Sequence, residues 1–190
     1  ELHDELGALL TAAKLDVARL KSKIGTLSPD VVERLGHLTE TLNTGIALKR
    51  RIVEDLHPSS LYHLGLTASL EILTHEFSNH SGIPINTDLD TVEIDAAGQL
   101  TIYRLIQESL TNIGKYAEAT LITVTVQNYT GHVQVDVHDN GKGFDMAHVR
   151  PSTHGIAGMR HRVEAAGGRL TVISSPGNGT HISAALPTHT

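Results

Sequence analysis

The chain has 190 residues, 39% of them hydrophobic and 19% charged, enough to bury a real core in one ordinary domain or two small ones and too apolar for a disordered tail. It contains no cysteine, which excludes disulfide staples. Fifteen Lys+Arg against 21 Asp+Glu give a net charge of −6, and aromatic residues make up 3%, so direct nucleic-acid binding, which needs a basic surface or exposed stacking rings, is not expected.

The first 56 residues read as two helices. Leu2, Leu6, Leu9, Ala13, Val17, Leu20 and Ile24 recur at steps of three and four and share one stripe. Gly25 to Pro29 breaks it, and Ser28-Pro29 is a helix start, a capping hydroxyl followed by a proline at the first helical position. Val31, Leu35, Leu38, Leu42, Ile46, Val53 and Leu56 form the second stripe. Two such helices make a hairpin whose apolar face they cannot cover alone, and pairing with a second copy would close a four-helix bundle.

His57-Pro58-Ser59-Ser60 punctuates the chain, giving an expected division into a helical hairpin over 1–57 and a second domain over 58–190. Beyond it the pattern predicts a helix from Leu64 to Phe77, with Leu66, Leu70, Leu73 and Phe77 on one side. A strand follows at Ile83 to Leu89, then a long helix from Ala96 to Ala117 carrying Leu100, Tyr103, Leu110 and Ile113. The period then falls to two. Leu121 to Val126 and Val133 to Val137 read as a hairpin around Thr130-Gly131, and Leu170 to Ser174 with Ile182 to Leu186 as a second pair around 176–179. Helices among mostly paired strands predict an α+β sandwich of helix and sheet layers. No run is apolar enough to span a membrane; Ala119 to Val135, free of charged residues, alternates with Thr, Gln and Asn. The opening Glu1-Leu2-His3-Asp4 carries no Met and no signal peptide and reads as mid-helix, so a longer parent chain, with a sensing or anchoring part upstream, is expected.

Three glycine-bearing segments stand at element ends: Asp139-Asn140-Gly141-Lys142-Gly143, Gly155-Ile156-Ala157-Gly158-Met159 and Gly177-Asn178-Gly179-Thr180. Glycines let backbone approach a ligand closely, and Gly155 to Gly158 ahead of a helix over Met159 to Ala166 would suit a phosphate. Each alone is equally a turn. Glu108 and Asn112 lie four apart on one helix face, with Lys115 a turn further on. A carboxylate, an amide oxygen and an ammonium there could hold Mg²⁺ and neutralise phosphate, although the same set also makes an ordinary solvated face.

Taken in order, Glu108-Ser-Leu-Thr-Asn112-Ile-Gly-Lys115-Tyr116, Asp139-Asn-Gly141-Lys-Gly143, Gly155-Ile-Ala-Gly158-Met159-Arg160 and Gly177-Asn-Gly179-Thr180 resemble the ATP-binding domain of sensor histidine kinases, of the GHKL fold shared with DNA gyrase and Hsp90. Glu1-Leu2-His3-Asp4 resembles the phosphoacceptor helix of the subfamily containing nitrate/nitrite sensors and the membrane-fluidity thermosensor of bacilli. The resemblance spans essentially the whole chain. It implies Asn112 as the Mg²⁺ ligand, Glu108 positioning a metal-bound water, and Asp139 accepting from the adenine amino group. Gly141 and Gly143 would keep the loop open beside the base, and Gly155 and Gly158 would border a lid over roughly 144–154. Lys115 would reach phosphate and Thr180 the adenine pocket; His154, by its place next to Gly155, would touch phosphate in the lid.

His3 is the implied phosphoacceptor. Its place beside Leu2 and Leu6 puts it at the rim of the stripe, where a nucleophile must be, and an imidazole with a pKa near ~6.5 is largely neutral at pH 7. Asp4 could orient its other ring nitrogen or take up the released proton. Relatives often carry Gln or Asn five residues after the phosphoacceptor, to orient the water that dephosphorylates the partner. Here Ala8 stands at that position, which speaks against phosphatase activity.

The implied activity is autophosphorylation of His3 from Mg-ATP and transfer to an aspartate of a response regulator, in a cytoplasmic homodimer without membrane contact from this segment. A non-catalytic nucleotide-binding scaffold is the alternative, opposed by the presence of His3, Glu108, Asn112 and Asp139 together. A gyrase- or Hsp90-like ATPase would need a further domain, and a serine kinase of the anti-sigma type would lack the helical hairpin.

Overall fold

The computed structural model describes the backbone of residues 2–23, 29–56, 58–145 and 154–188, and side chains of 9–22, 29–47, 58–145 and 155–188. The chain divides into two compact units, Glu1–Ser59 and Ser60–Thr190. The first consists of α1 (Leu2–Lys23) and α2 (Pro29–Leu56), and α2 does begin at the proline expected to start it. Val17 is the one large apolar side chain buried between them among the described residues, whereas Leu9, Leu20 and Leu38 stay 68%, 53% and 49% exposed. Among the described stripe residues, these three leucines are thus left uncovered in the single chain, while Leu35, Leu42 and Ile46 are half-buried.

The second unit runs α3 (Ser59–Leu64), α4 (Leu66–Ser81), β1 (Ile85–Leu89), α5 (Ala96–Asn112), a π-helical turn (Ile113–Ala117), β2 (Ile122–Tyr129), β3 (His132–Asp139), α6 (His154–Ala165), β4 (Arg169–Ser174) and β5 (Thr180–Pro187). Its sheet has the order β1-β2-β3-β5-β4, with β1 parallel to β2 and the other neighbours antiparallel. On β2, Ile122, Val124 and Val126 point inward; on β3, Val133, Val135 and Val137; on β5, Ile182, Ala184 and Leu186. This alternation covers one face only. The buried face meets Leu66 and Leu70 of α4, Ile102, Leu105, Ile106 and Leu110 of α5, and Met159 and Val163 of α6, in one continuous core. The result is the expected two-layer α+β arrangement.

Three helix boundaries differ from the sequence reading. The helix expected over 64–77 is α4, starting after Gly65, whose φ of 80° breaks it from the short α3, and ending at Gly82, whose N–H closes on Ser78 O in a left-handed cap. The long helix to Ala117 stops being α-helical at Asn112. The helix expected from Met159 begins at His154, so Gly155 and Gly158 lie within its first turns and not ahead of it. The strand expected from Ile83 starts at Ile85, because Ile83 is tied to the helix end through Ser78 Oγ donating to its carbonyl and Ser81 Oγ accepting its N–H.

Candidate functional site

The strand register gathers the site. Ile85 pairs with Ile122, Ile122 with Asp139, Asp139 with Thr180, and Thr180 with Ser174, one row across all five strands at a single end of the sheet. The π turn that closes α5 feeds β2 at this same end, five residues before Ile122. The helix bearing Glu108 and Asn112 therefore finishes beside the strand end bearing Asp139.

α5 is set by Asp95, whose carboxylate accepts the Gly98 N–H at 2.7 Å as a cap, and by the buried stripe Ile102, Leu105, Ile106 and Leu110. Seating that stripe leaves Glu108 and Asn112 half-buried on an adjoining face, where Asn112 Nδ2 donates to Glu108 Oε1 at 3.4 Å. Above them passes α6. A β-carbon on Gly155 would lie 2.6 Å from Glu108 Oε1 and 3.3 Å from Asn112 Nδ2, so a larger residue there would have to push the Glu108 carboxylate aside. One turn on, fully buried Ser109 donates to Leu105 O at 2.7 Å and to Met159 Sδ at 3.8 Å, fastening α6 to α5.

Asp139 is 2% exposed. Its Oδ1 accepts the Gly141 N–H at 2.8 Å, which orients the carboxylate at the strand end. The following loop lies against the π turn: Lys142 N–H donates to Ala117 O at 2.8 Å, and a side chain on Gly141 would collide with that same carbonyl. Gly143 takes φ 58°, and a β-carbon on it would meet Ser175 O. The glycines here thus serve backbone-to-backbone packing, which shapes the loop, as much as any open space beside a ligand. Ser174 Oγ accepts the Phe144 N–H at 3.0 Å, donates to Gly179 O at 2.8 Å and sits 3.1 Å from Thr180 Oγ1, tying the third glycine segment to the same place.

Of the residues singled out from sequence, Glu108, Asn112 and Gly155 are brought together, and Asp139, Gly141, Gly143 and Thr180 are joined in the adjoining loop network. Lys115 lies exposed on the π turn that follows Asn112, where the α-helical spacing gives way to a wider winding. Gly158 faces Arg162, not the Glu108–Asn112 pair. His3 and Asp4 fall in the first turn of α1, but their side chains, like those of Ala8 and His154, lie outside the described residues, as do residues 146–153 of the lid expected over 144–154.

Sequence reasoning passed over Asn140, whose Oδ1 accepts the N–H groups of Thr120 and Leu121 at 2.9 and 3.0 Å. It also passed over Glu118 and Lys142, an ion pair at 2.6 Å. The hydrogen bond from Lys142, and then its charge, holds the Glu118 carboxyl below the ordinary carboxylate value. Asn140 is legible in hindsight as the polar partner of a strand start; the pair carries no sequence signal, since 24 residues separate its members.

Among the described residues no three His, Cys, Asp or Glu gather as a metal cage. The Glu108 carboxylate and Asn112 amide oxygen, under a cradle that a Gly155 side chain would fill, do suit Mg²⁺, which takes one or two protein oxygens and completes its shell with phosphate and water. A groove of about 480 Å³ between α4 and β1, lined among others by Ile72, His75 and Thr87, shares no residue with this site.

Residues 1–61 match the family described as histidine kinase, and residues 97–190 match the family of histidine kinase-, DNA gyrase B- and HSP90-like ATPases. The chain is 28% identical over 187 residues to the sensor histidine kinase LiaS of Bacillus subtilis, covering 98% of this chain and 52% of LiaS. It is 31% identical over 191 residues to the sensor histidine kinase MctS of Rhizobium johnstonii (98% and 41%), and 32% identical over 198 residues to the histidine-protein kinase/phosphatase UhpB of Salmonella typhimurium (98% and 37%). It thus spans about half or less of these relatives. In fold it resembles the histidine kinase domain of a blue-light activated kinase from Erythrobacter litoralis, with TM-score 0.57 at 18% identity over 98% of this chain and 94% of that one.

Proposed function

Because this chain belongs to the histidine kinase family, we propose that it is the catalytic core of a two-component sensor, which phosphorylates itself on His3 from Mg-ATP and passes the phosphoryl group to an aspartate of a response regulator. Residues 1–57 serve as the dimerising and phosphoacceptor hairpin, residues 58–190 as the ATP-binding domain. The observation that carries the reading is the meeting of Glu108, Asn112 and Gly155 at the sheet end that also holds buried Asp139.

In this reading Asn112 Oδ1 would hold Mg²⁺, which would supply charge neutralisation at the phosphates, and Glu108 would orient a water beside it. Asp139, one oxygen occupied by the Gly141 N–H, accepts from the adenine amino group with the other. Thr180 borders that pocket, Gly158 borders the lid, and Lys115 reaches phosphate from the π turn. Asp4 orients a neutral His3 and takes up its proton as an imidazole nitrogen attacks the γ-phosphorus and ADP leaves with the bonding pair. Ala8 offers no amide to orient a water, so phosphatase activity is weak.

The uncovered leucines on α1 and α2 support a homodimer closed as a four-helix bundle. No described helix is long and apolar enough to cross a membrane, and we place the work of this segment in the cytoplasm, where ATP is. Calorimetric titration with ATP in Mg²⁺ tests the nucleotide site: saturable binding that Asp139→Ala and Asn112→Ala abolish is expected, and no binding to the unmodified chain would refute it.

A further inference from the structure

The Glu118–Lys142 ion pair joins two segments that each carry one half of the proposed nucleotide site. Glu118 follows directly on the π turn that ends the helix of Glu108 and Asn112. Lys142 sits three residues after Asp139, between the two glycines of the loop. Their charged atoms are 2.6 Å apart, and the backbone reinforces the contact, since the Lys142 N–H donates to Ala117 O.

Glu118 is also the only non-glycine among the described residues with a positive φ, 53°. Glycine or asparagine fits that left-handed conformation with less strain than glutamate. Backbone preference therefore does not account for glutamate here, whereas its side chain does something that glycine cannot. An exposed ion pair adds little to global folding. Its ends, however, lie on the two segments whose separation sets the distance from the adenine acceptor to the metal-binding amide.

We propose that Glu118 and Lys142 are a positioning pair for nucleotide binding: they strap the 139–143 loop to the end of α5 and so fix the spacing between Asp139 and Asn112. The proposal rests on the nucleotide reading above. Neither residue touches the nucleotide, and Lys142, though its loop flanks the base, is committed to Glu118 and not to phosphate.

The test is calorimetric titration of the full chain with ATP in Mg²⁺, at low and high salt. Glu118→Gln and Lys142→Gln should each weaken binding about two- to fivefold at low salt, the range of an exposed ion pair converted to affinity, and the difference from the unmodified chain should shrink as salt screens it. The double exchange Glu118→Lys with Lys142→Glu should restore most of the affinity. Glu118→Gly should lower affinity in the same way while the thermal midpoint holds or rises, a split that a merely structural role would not produce. If the unmodified chain binds ATP and the single variants bind equally well, the strap is wrong and the nucleotide site stands. If the unmodified chain binds no ATP, the nucleotide reading fails and the strap with it.

Discussion

Gly155 lies so near Glu108 that a β-carbon on it would come within 2.6 Å of the carboxylate oxygen, although the two are 47 residues apart in sequence. The contact makes the start of α6 and the Asn112 face of α5 a single surface. Gly155→Ala should displace the Glu108 carboxylate, which already accepts from Asn112, and weaken Mg-ATP binding about tenfold or more, as disturbed outer-shell partners of a metal ligand do. The same titration at saturating and limiting Mg²⁺ checks this: the loss should be larger at limiting metal.

Asp139 has two separable tasks. Asp139→Asn keeps an oxygen for the Gly141 N–H, so the fold should hold while binding of ATP is lost, because an amide NH₂ would face the adenine amino group. Asp139→Ala also strands that N–H in a buried place and should cost a further ~1–3 kcal/mol. Chemical denaturation alongside ATP titration separates the two. GTP, which presents a carbonyl where adenine presents its amino group, should bind at least about tenfold more weakly than ATP, the size of one mismatched hydrogen bond to a charged group.

Lys142 lowers the Glu118 carboxyl in the folded state. A depressed carboxylate stabilises the fold above its unfolded pKa and loses that contribution as pH falls through the folded one. The contribution of this pair should therefore be full at neutral pH and vanish on acidification below the ordinary carboxylate range. Because the pair is exposed, thermal melts of the chain and of Glu118→Gln should lie close together at pH 7, with any small difference gone in acid.

The exposed leucines of the hairpin predict its assembly. Light scattering should give a dimer, and Leu38→Asp, which places a charge on the α2 stripe now 49% exposed in one chain, should shift it to monomer. A monomeric unmodified chain would contradict the four-helix bundle.

Much of this was legible because it rests on local chemistry. Alternation on Val133, Val135 and Val137 revealed β3, and helical stripes revealed α4 and α5, since burial on one face imposes those periods. Glu108 and Asn112 were readable as a pair because α-helical spacing fixes their common face. Beyond Asn112 the chain winds into a π turn that no period announces, so α-helical spacing does not describe Lys115; Phe77, 3.2 Å from where a Gly114 β-carbon would be, packs against that turn from another helix. A glycine run ahead of Met159 suggests a phosphate loop before the helix, whereas α6 already includes Gly155 and Gly158 in its first turns. At Gly155 the close approach of Glu108 explains the residue, and that contact is set by tertiary packing. Glu118 and Lys142 were invisible for the same reason.

The most direct measurement is incubation of the chain with γ-labelled ATP and Mg²⁺, beside His3→Gln and Asn112→Ala, followed by acid treatment of the labelled protein. The account predicts label on the unmodified chain that acid removes, as it does from a phosphorylated imidazole, and none on either variant. Acid-stable label, or label that survives His3→Gln, would contradict it.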